Sequence, residues 1–497
     1  MDALQDLAFG FTVVFEPFNL LLVASGVLAG TIIGMLPGLG PIAAIALLIP
    51  TTFGMDPSSA LILLAGVYYG AVFGGSTSSI LLNAPGIAGT VATSFDGYPM
   101  ARSGRAGAAL AIAAIASFIG GTIALIGLAL VAPALASVAV AFGPAEYFAL
   151  MVLGLTAVTS LSDTGLVKGL LAGTFGVMVS IIGIDLQTGT LRYTFGMPEL
   201  FEGVDFLIVA LGVFALAEVL RLALQPQNES QEAIGSLRLS RRELRDMAPA
   251  TGRGSLVGFF SGILPGAGAT IGSFLGYGLE KRVAKDADTF GKGNTKGIAA
   301  PESANNAAAV GSFVPLLTLG VPGSGTTAVL LGALLVLGIQ PGPLMFADRP
   351  EVFWGVIASM YIGNIVLLML NLPLIPLLAR ILRTPRPLLL PLIIVFCVIG
   401  VYGLRFNTFD LWLLLLFGVL GFLMRANGFP AAPLILGLIL GAIMEESMRQ
   451  ALQISGGAWS VFLEQPISAT LLALAAVSLL APPLVARWRQ RSRASVG

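Results

Sequence analysis

The 497-residue sequence contains no histidine and one cysteine, and only 10% of its residues are charged. Without histidine there is no imidazole for acid–base work near neutral pH and no His-based metal site. Cys397, the single cysteine, lies in the apolar run 391–401 and has no partner for a disulfide. So few charges cannot dress a water-soluble particle of 51.2 kDa, because soluble domains carry ~25% charged residues. Charge of one sign is also missing: 26 Lys+Arg balance 26 Asp+Glu, and nothing in that balance points to nucleic acid. Residues 1–19 hold Asp2, Asp6 and Glu16 but no Lys or Arg, so the basic start of a secretory signal peptide is absent. They read as a free amphipathic lead-in to the first membrane element.

Apolar residues fill the space that charge leaves. They make up 56% of the chain, at a mean hydropathy of +0.93. Apolar stretches long enough for a membrane helix of ~20 residues recur along the whole length. The expected fold is an all-α polytopic membrane protein with about 11–12 transmembrane helices.

The chain also repeats itself. Residues 26–40 (GVLAGTIIGMLPGLG) and 254–268 (GSLVGFFSGILPGAG) share five glycines and a Leu-Pro pair at an offset of 228. Pro85-Gly86 and Gly74 match Pro322-Gly323 and Gly311 at 237, and Ile119-Gly120 with Pro133 matches Ile362-Gly363 with Pro376 at 243. Glu218 and Arg221 match Glu446 and Arg449, again at 228. The expected domains are a first membrane repeat at 17–224, a cytoplasmic linker at 225–253, a second repeat at 254–452 and an extra transmembrane helix at 468–486.

Charge placement orients the copies. The linker carries Arg238, Arg241, Arg242, Arg245 and Arg253 and reads as a solvated loop, and the tail holds Arg487, Arg489, Arg491 and Arg493. The positive-inside rule puts both in the cytoplasm. Five crossings per copy, with the LPG segments as re-entrant hairpins, leave only Arg192, Arg349, Arg405 and Arg449 outside. An odd number of crossings inverts the second copy, as in many secondary transporters. Segment 107–141 is long for one crossing on this map. Glu218/Arg221 and Glu446/Arg449, each spaced i, i+3, read as pairs on one helix face near an interface, and Asp163 with Lys168 as a helix end.

Four Pro-Gly breaks interrupt apolar context: Leu36-Pro37-Gly38-Leu39-Gly40, Asn83-Ala84-Pro85-Gly86, Leu264-Pro265-Gly266-Ala267-Gly268 and Val321-Pro322-Gly323-Ser324-Gly325. Backbone without helical hydrogen bonds is tolerated at membrane depth only inside protein or beside a watery cavity. A helix restarting after each break points free N–H groups and a positive dipole end at whatever lies there, which favours an anion. Symmetric interruptions in two halves are the best sequence pointer to a transport site. The candidate substrate-binding residues are therefore Gly38, Gly40, Asn83, Pro85, Gly86, Gly266, Gly268, Pro322, Gly323, Ser324, Gly325 and Thr326, with the neighbouring polar residues Ser76, Thr77, Ser78, Ser79, Asn305 and Asn306. Serines in that run also suit helix packing. Glu302 is the ionisable residue of the cluster and the candidate for ion coupling, with a helix cap at the cytoplasmic interface as the blander account.

Several blocks resemble the large membrane subunit of the tripartite tricarboxylate transporters, the TctA family. They are GxxxGxxPGxG at 30–40, YYGAVFGGSTSSILLNAPG at 68–86, DGYPMARSGRAGAAL at 96–110, GILPGAGATIGSFLGYGLEKR at 262–282 and FGKGNTKGIAAPESANNAAAVGSFVPLLTLGVPGSGTTAVLLGAL at 290–334. The resemblance implies an inner-membrane importer of citrate-like tricarboxylates or other organic anions. It works with a periplasmic solute-binding protein and a small membrane subunit, and is driven by an ion gradient, usually Na⁺.

The rival readings are a stand-alone secondary carboxylate transporter, an intramembrane enzyme and a nucleotide-driven pump. The chain lacks the metal-ligand clusters that intramembrane zinc chemistry needs. GAGATIG at 266–272 lacks the dinucleotide-loop spacing and no G-x-x-x-x-G-K-[ST] exists, so no cofactor is expected and energy must come from an ion gradient or another subunit.

Overall fold

The computed structural model describes residues 3–36, 38–160, 165–185, 187–224, 234–264, 266, 268–378 and 386–494. It is an assembly of helices: α1 Ala3–Val14, α2 Pro17–Met35, α3 Gly40–Leu48, α4 Pro57–Leu82, α5 Val91–Met100, α6 Ala106–Ala139, α7 Pro144–Ser160, α8 Leu166–Ser180 and α9 Phe206–Leu224. After the connection come α10 Arg241–Ile263, α11 Gly268–Val283, α12 Thr295–Gly311, α13 Phe313–Leu319, α14 Gly325–Val336, α15 Pro350–Asn371, α16 Arg386–Arg405, α17 Thr408–Ala426, α18 Ala431–Ile454 and α19 Pro466–Ala494. The one sheet among the described residues is a two-residue ribbon, Gly183–Ile184 against Leu191–Arg192. Among the described residues, eight helices are long and apolar enough to cross a membrane, and shorter apolar helices accompany them. The protein is a multi-pass, all-α membrane protein.

Helix starts follow local chemistry. Pro17 and Pro57 occupy first helical positions, where a missing N–H costs nothing, and Asp56 caps α4 by accepting from Ser58 N at 3.0 Å. Ser240 and Glu243 form a reciprocal capping box on α10. Segment 107–141 is mostly one 34-residue helix, α6, about 51 Å long at 1.5 Å per residue, so it must tilt to fit a ~30 Å hydrocarbon layer.

Close packing rests on glycine stripes. A Cβ added to Gly26, Gly30 or Gly34 of α2 would collide with the carbonyls of Leu63, Val67 and Ala71 on α4. On α10, Gly254, Gly258 and Gly262 stand in the same way against the carbonyls of Ala300, Ala304 and Ala308 on α12. These contacts recur at the 228 and 237 offsets found in the sequence. Gly74 against the Thr31 carbonyl and Gly311 against that of Phe259 repeat the relation. Small residues let membrane helices approach this closely, where lipid supplies no hydrophobic drive. α4 lies at the centre, with its most apolar window wholly buried.

Several expectations need correction. The lead-in is not free: α1 packs on α15, with Gly10 under the Trp354 carbonyl and Phe11 6.1 Å from the Tyr361 ring. Part of the linker is helix, because the capping box starts α10 at Arg241 and carries it through Arg253; residues 225–233 lie outside the described residues. Arg449 does not pair with Glu446. It bonds Asp185 at 3.0 Å and Glu445 at 2.6 Å, since i, i+4 brings Glu445 onto its face. Lys168 sits at the start of α8 rather than a helix end and donates to the Asn427 carbonyl at 2.6 Å. Asp163 lies outside the described residues.

Candidate substrate site

All four breaks converge. Gly38 and Gly40, Gly86, Gly266 and Gly268, and Ser324, Gly325 and Thr326 line one cavity of about 380 Å³ between the two halves of the chain. Pro37, Pro265 and Ala267 are outside the described residues. The corners touch in pairs: Gly266 N donates to Gly323 O at 3.0 Å, and Gly40 stands against the Gly86 carbonyl. Gly325 packs toward Ile42 of α3, closing the ring across the halves. Gly38, Gly40, Gly266 and Gly268 all have positive φ, which glycine adopts at little cost.

Three helices of useful length begin at this cavity: α3 at Gly40, α11 at Gly268 and α14 at Gly325. α14 is capped from within, as Ser324 Oγ accepts from Thr327 N at 3.2 Å while Thr327 Oγ1 accepts from Ser324 N at 2.8 Å. No side chain caps α3. The first turns of α3, α11 and α14 thus line one cavity, an arrangement suited to negative charge.

The remaining sequence-predicted residues lie elsewhere. Asn83 is exposed and ends α4 at φ 49°, a left-handed cap. Pro85 is half-buried beside Gly86, and Pro322 and Gly323 are buried behind Ser324. Ser78 Oγ and Ser79 Oγ donate to the Gly75 carbonyl at 3.2 and 2.9 Å, and Ser79 Oγ also donates to Thr90 Oγ1. Ser76 and Thr77 border a void of about 10 Å³ away from the cavity.

Glu302 is not at a helix end. It is fully buried midway along α12, accepting from Ser76 (2.7 Å), Thr93 (2.5 Å) and Ser117 (2.9 Å) on α4, α5 and α6. Three hydroxyl donors suit an ionised carboxylate, which only accepts. Asn306 extends the network by donating to Ser117 Oγ at 2.7 Å. Asn305 is fully buried with neither amide atom partnered, and a Cβ on the cavity residue Gly89 would meet its Oδ1 at 2.5 Å.

Sequence reasoning missed Tyr68, Thr270 and Arg425, which also line the cavity. Tyr68 stacks on Phe313 at 5.7 Å. Arg425, near the end of α17, bonds Glu218 of α9, whose fully buried carboxylate also takes Arg221 at 2.5 Å. Gly38 has no room for a Cβ because this carboxylate and Arg221 lie against it. The i, i+3 spacing found the Glu218–Arg221 pair but placed it at an interface, and nothing in the sequence ties it to Arg425.

Residues 20–436 match the tripartite tricarboxylate transporter TctA family. The chain belongs to that family. With the multi-pass fold, TctA membership makes it a membrane transport protein. It is 46% identical over 479 residues, 95% of each chain, to an uncharacterized 52.8 kDa protein in the TAR-I ttuC' 3'region of Agrobacterium vitis. It is 45% identical over 223 residues to an uncharacterized protein in the TAR-II ttuC' 3'region of the same organism, covering 45% of this chain and 92% of that one. No solved structure matches it.

Proposed function

We propose that the protein is the large membrane subunit of a tripartite importer in the bacterial inner membrane, and that it carries a small organic carboxylate inward on an ion gradient, chiefly Na⁺. One observation carries the reading: helix breaks from both halves meet around one cavity lined by the first turns of α3, α11 and α14. Ligand pockets for drug-sized molecules span ~300–1,000 Å³, so about 380 Å³ suits a small solute with a few waters. Asn305 supports it, because a buried amide without partners costs ~1–3 kcal/mol per group and gains by meeting a ligand or ion. A periplasmic binding protein and a small membrane subunit complete the assembly.

An inverted pair of repeats accounts for the paired breaks and the recurring glycine contacts. The charge-based topology places Arg105, Arg253 and Lys296 in the cytoplasm, where they pair with Glu243, Glu280 and Asp286, and Arg192 and Arg405 outside, where they pair with Glu445 and Glu202.

The test is uptake of labelled carboxylates into proteoliposomes, with and without the cognate binding protein. Uptake is expected to need the binding protein and to fall more than about 10-fold in Gly325→Val, whose added side chain meets Ala432 and Ile42 at the mouth of α14. Full transport by that variant at normal membrane levels would remove the cavity from the mechanism. Uptake unaffected by withholding the binding protein would favour a stand-alone transporter. An imposed Na⁺ gradient is expected to drive uptake even when the proton gradient is collapsed. The opposite result would make H⁺ the coupling ion, with Glu302 as its carrier.

A further inference from the structure

Resting on that reading, we propose that Arg425 is the specificity-determining residue that grips a second carboxylate of the substrate. Amide N-termini at α3, α11 and α14 supply partial charges, and these suffice for one carboxylate group. Among the described lining residues Arg425 is the one cationic side chain. It is about one-third exposed and is among the residues that line the cavity.

The charge around it is arranged for one extra anionic group. Glu218 is fully buried and lies between two guanidiniums, taking Arg221 through Nε at 3.0 Å and Nη2 at 2.5 Å, and Arg425 through Nη1. One carboxylate against two arginines leaves a single uncompensated positive charge. Arg221 spends its fork on Glu218, whereas Arg425 commits one terminal nitrogen. Its Nε and Nη2 take no acceptor among the described residues. A guanidinium with free donors in a fixed plane is the side chain best shaped to grip a carboxylate. Glu218 acts as a positioning residue: it holds Arg425 toward the corner at Gly38, where no Cβ separates the break from the charge cluster. The carboxylate at one end of the ligand then meets helix N-termini and the one at the other meets Arg425, which spans α17 and the breaks of both halves.

The experiment measures binding to the purified full-length chain of succinate, malate and tartrate, each against its monoamide at fixed ionic strength. The wild type is expected to bind the best diacid about 10- to 100-fold more tightly than its monoamide, the range of a charge-assisted contact. Arg425→Gln should lower the affinity for the acid to that for the monoamide while leaving the monoamide unchanged. Arg425→Lys should fall between, and Arg242→Gln, on the exposed face of α10, should match the wild type. An Arg425→Gln protein that keeps its preference for the acid overturns the inference but leaves the carboxylate transporter standing. If that variant does not fold, the wild-type arm decides, because equal affinity for acid and monoamide overturns it equally. No uptake of any acid by the wild type with its binding protein present removes the proposed function itself.

Discussion

Asp96→Ala is expected to destabilise the protein by about 3–5 kcal/mol, the cost of leaving several buried hydrogen-bond donors without an acceptor. Asp96 is fully buried on α5, and its Oδ1 accepts from three backbone N–H groups, Gly291 (2.9 Å), Gly293 (2.9 Å) and Asn294 (2.7 Å). Its Oδ2 accepts from the Tyr277 hydroxyl at 3.0 Å. Gly297 has no room for a side chain because this carboxylate fills the space. Truncation leaves three amides and a phenol without acceptors, each worth ~1–3 kcal/mol if water cannot reach it. Asp96→Asn keeps one carbonyl oxygen for the amides and is expected to cost about 1–2 kcal/mol. Denaturant or thermal unfolding in detergent reads both. A loss below about 1 kcal/mol for the alanine variant would mean that the 286–294 segment repacks without Asp96.

This latch explains why a polar residue in an otherwise ordinary stretch, DGYPMARSGRAG, holds the first half of the chain to the second. It was not legible beforehand. Amphipathic pattern and breaker residues report on local backbone, and Asp96 acts on amides about 200 positions away. The four breaks were legible for the opposite reason. Proline and glycine fix the backbone where they stand, so their positions survive folding unchanged. That they meet was an inference from symmetry, and the cavity at Gly38, Gly86, Gly266 and Ser324 is where they do meet.

The polar residues beside the breaks divide by helix geometry. Residues that follow a break line the cavity, as Ser324 and Thr326 do. Residues that precede it lie within a helix that has not yet ended, and there hydroxyls turn back to the carbonyl one turn earlier, as Ser78 and Ser79 do with Gly75. Ser76 escapes this only because Glu302 reaches it from α12. Arg425 was hidden by a sound rule. A basic residue at a helix end is counted toward topology by the positive-inside pattern, and nothing in one dimension separates an arginine facing headgroups from one turned inward.

Gly30→Leu and Gly258→Leu are expected to cost matched, large amounts: more than about 3 kcal/mol each, the upper end for overpacking. Against most neighbours an added side chain rotates away or shifts a flexible partner. Here the obstacle is the backbone, since a Cβ on Gly30 meets the carbonyl, carbon and Cα of Val67, and one on Gly258 meets those of Ala304. Neither helix can yield at one residue, because Gly26 and Gly34, or Gly254 and Gly262, fix the same crossing one turn on each side. The helices must part along the whole seam, and with them the breaks that each seam leads into, Leu36 to Gly40 and Leu264 to Gly268. The readout is the fraction of monodisperse protein after extraction and its unfolding temperature. Gly252→Ala and Gly278→Ala, in helices where an added Cβ meets nothing within 4 Å, supply the contrast and should gain about 0.5–1 kcal/mol from helix propensity. A severe loss for Gly30→Leu beside a mild one for Gly258→Leu would show that only one of the two seams sets the spacing of the cavity, and would count against a duplicated architecture in which both halves are built by the same contact.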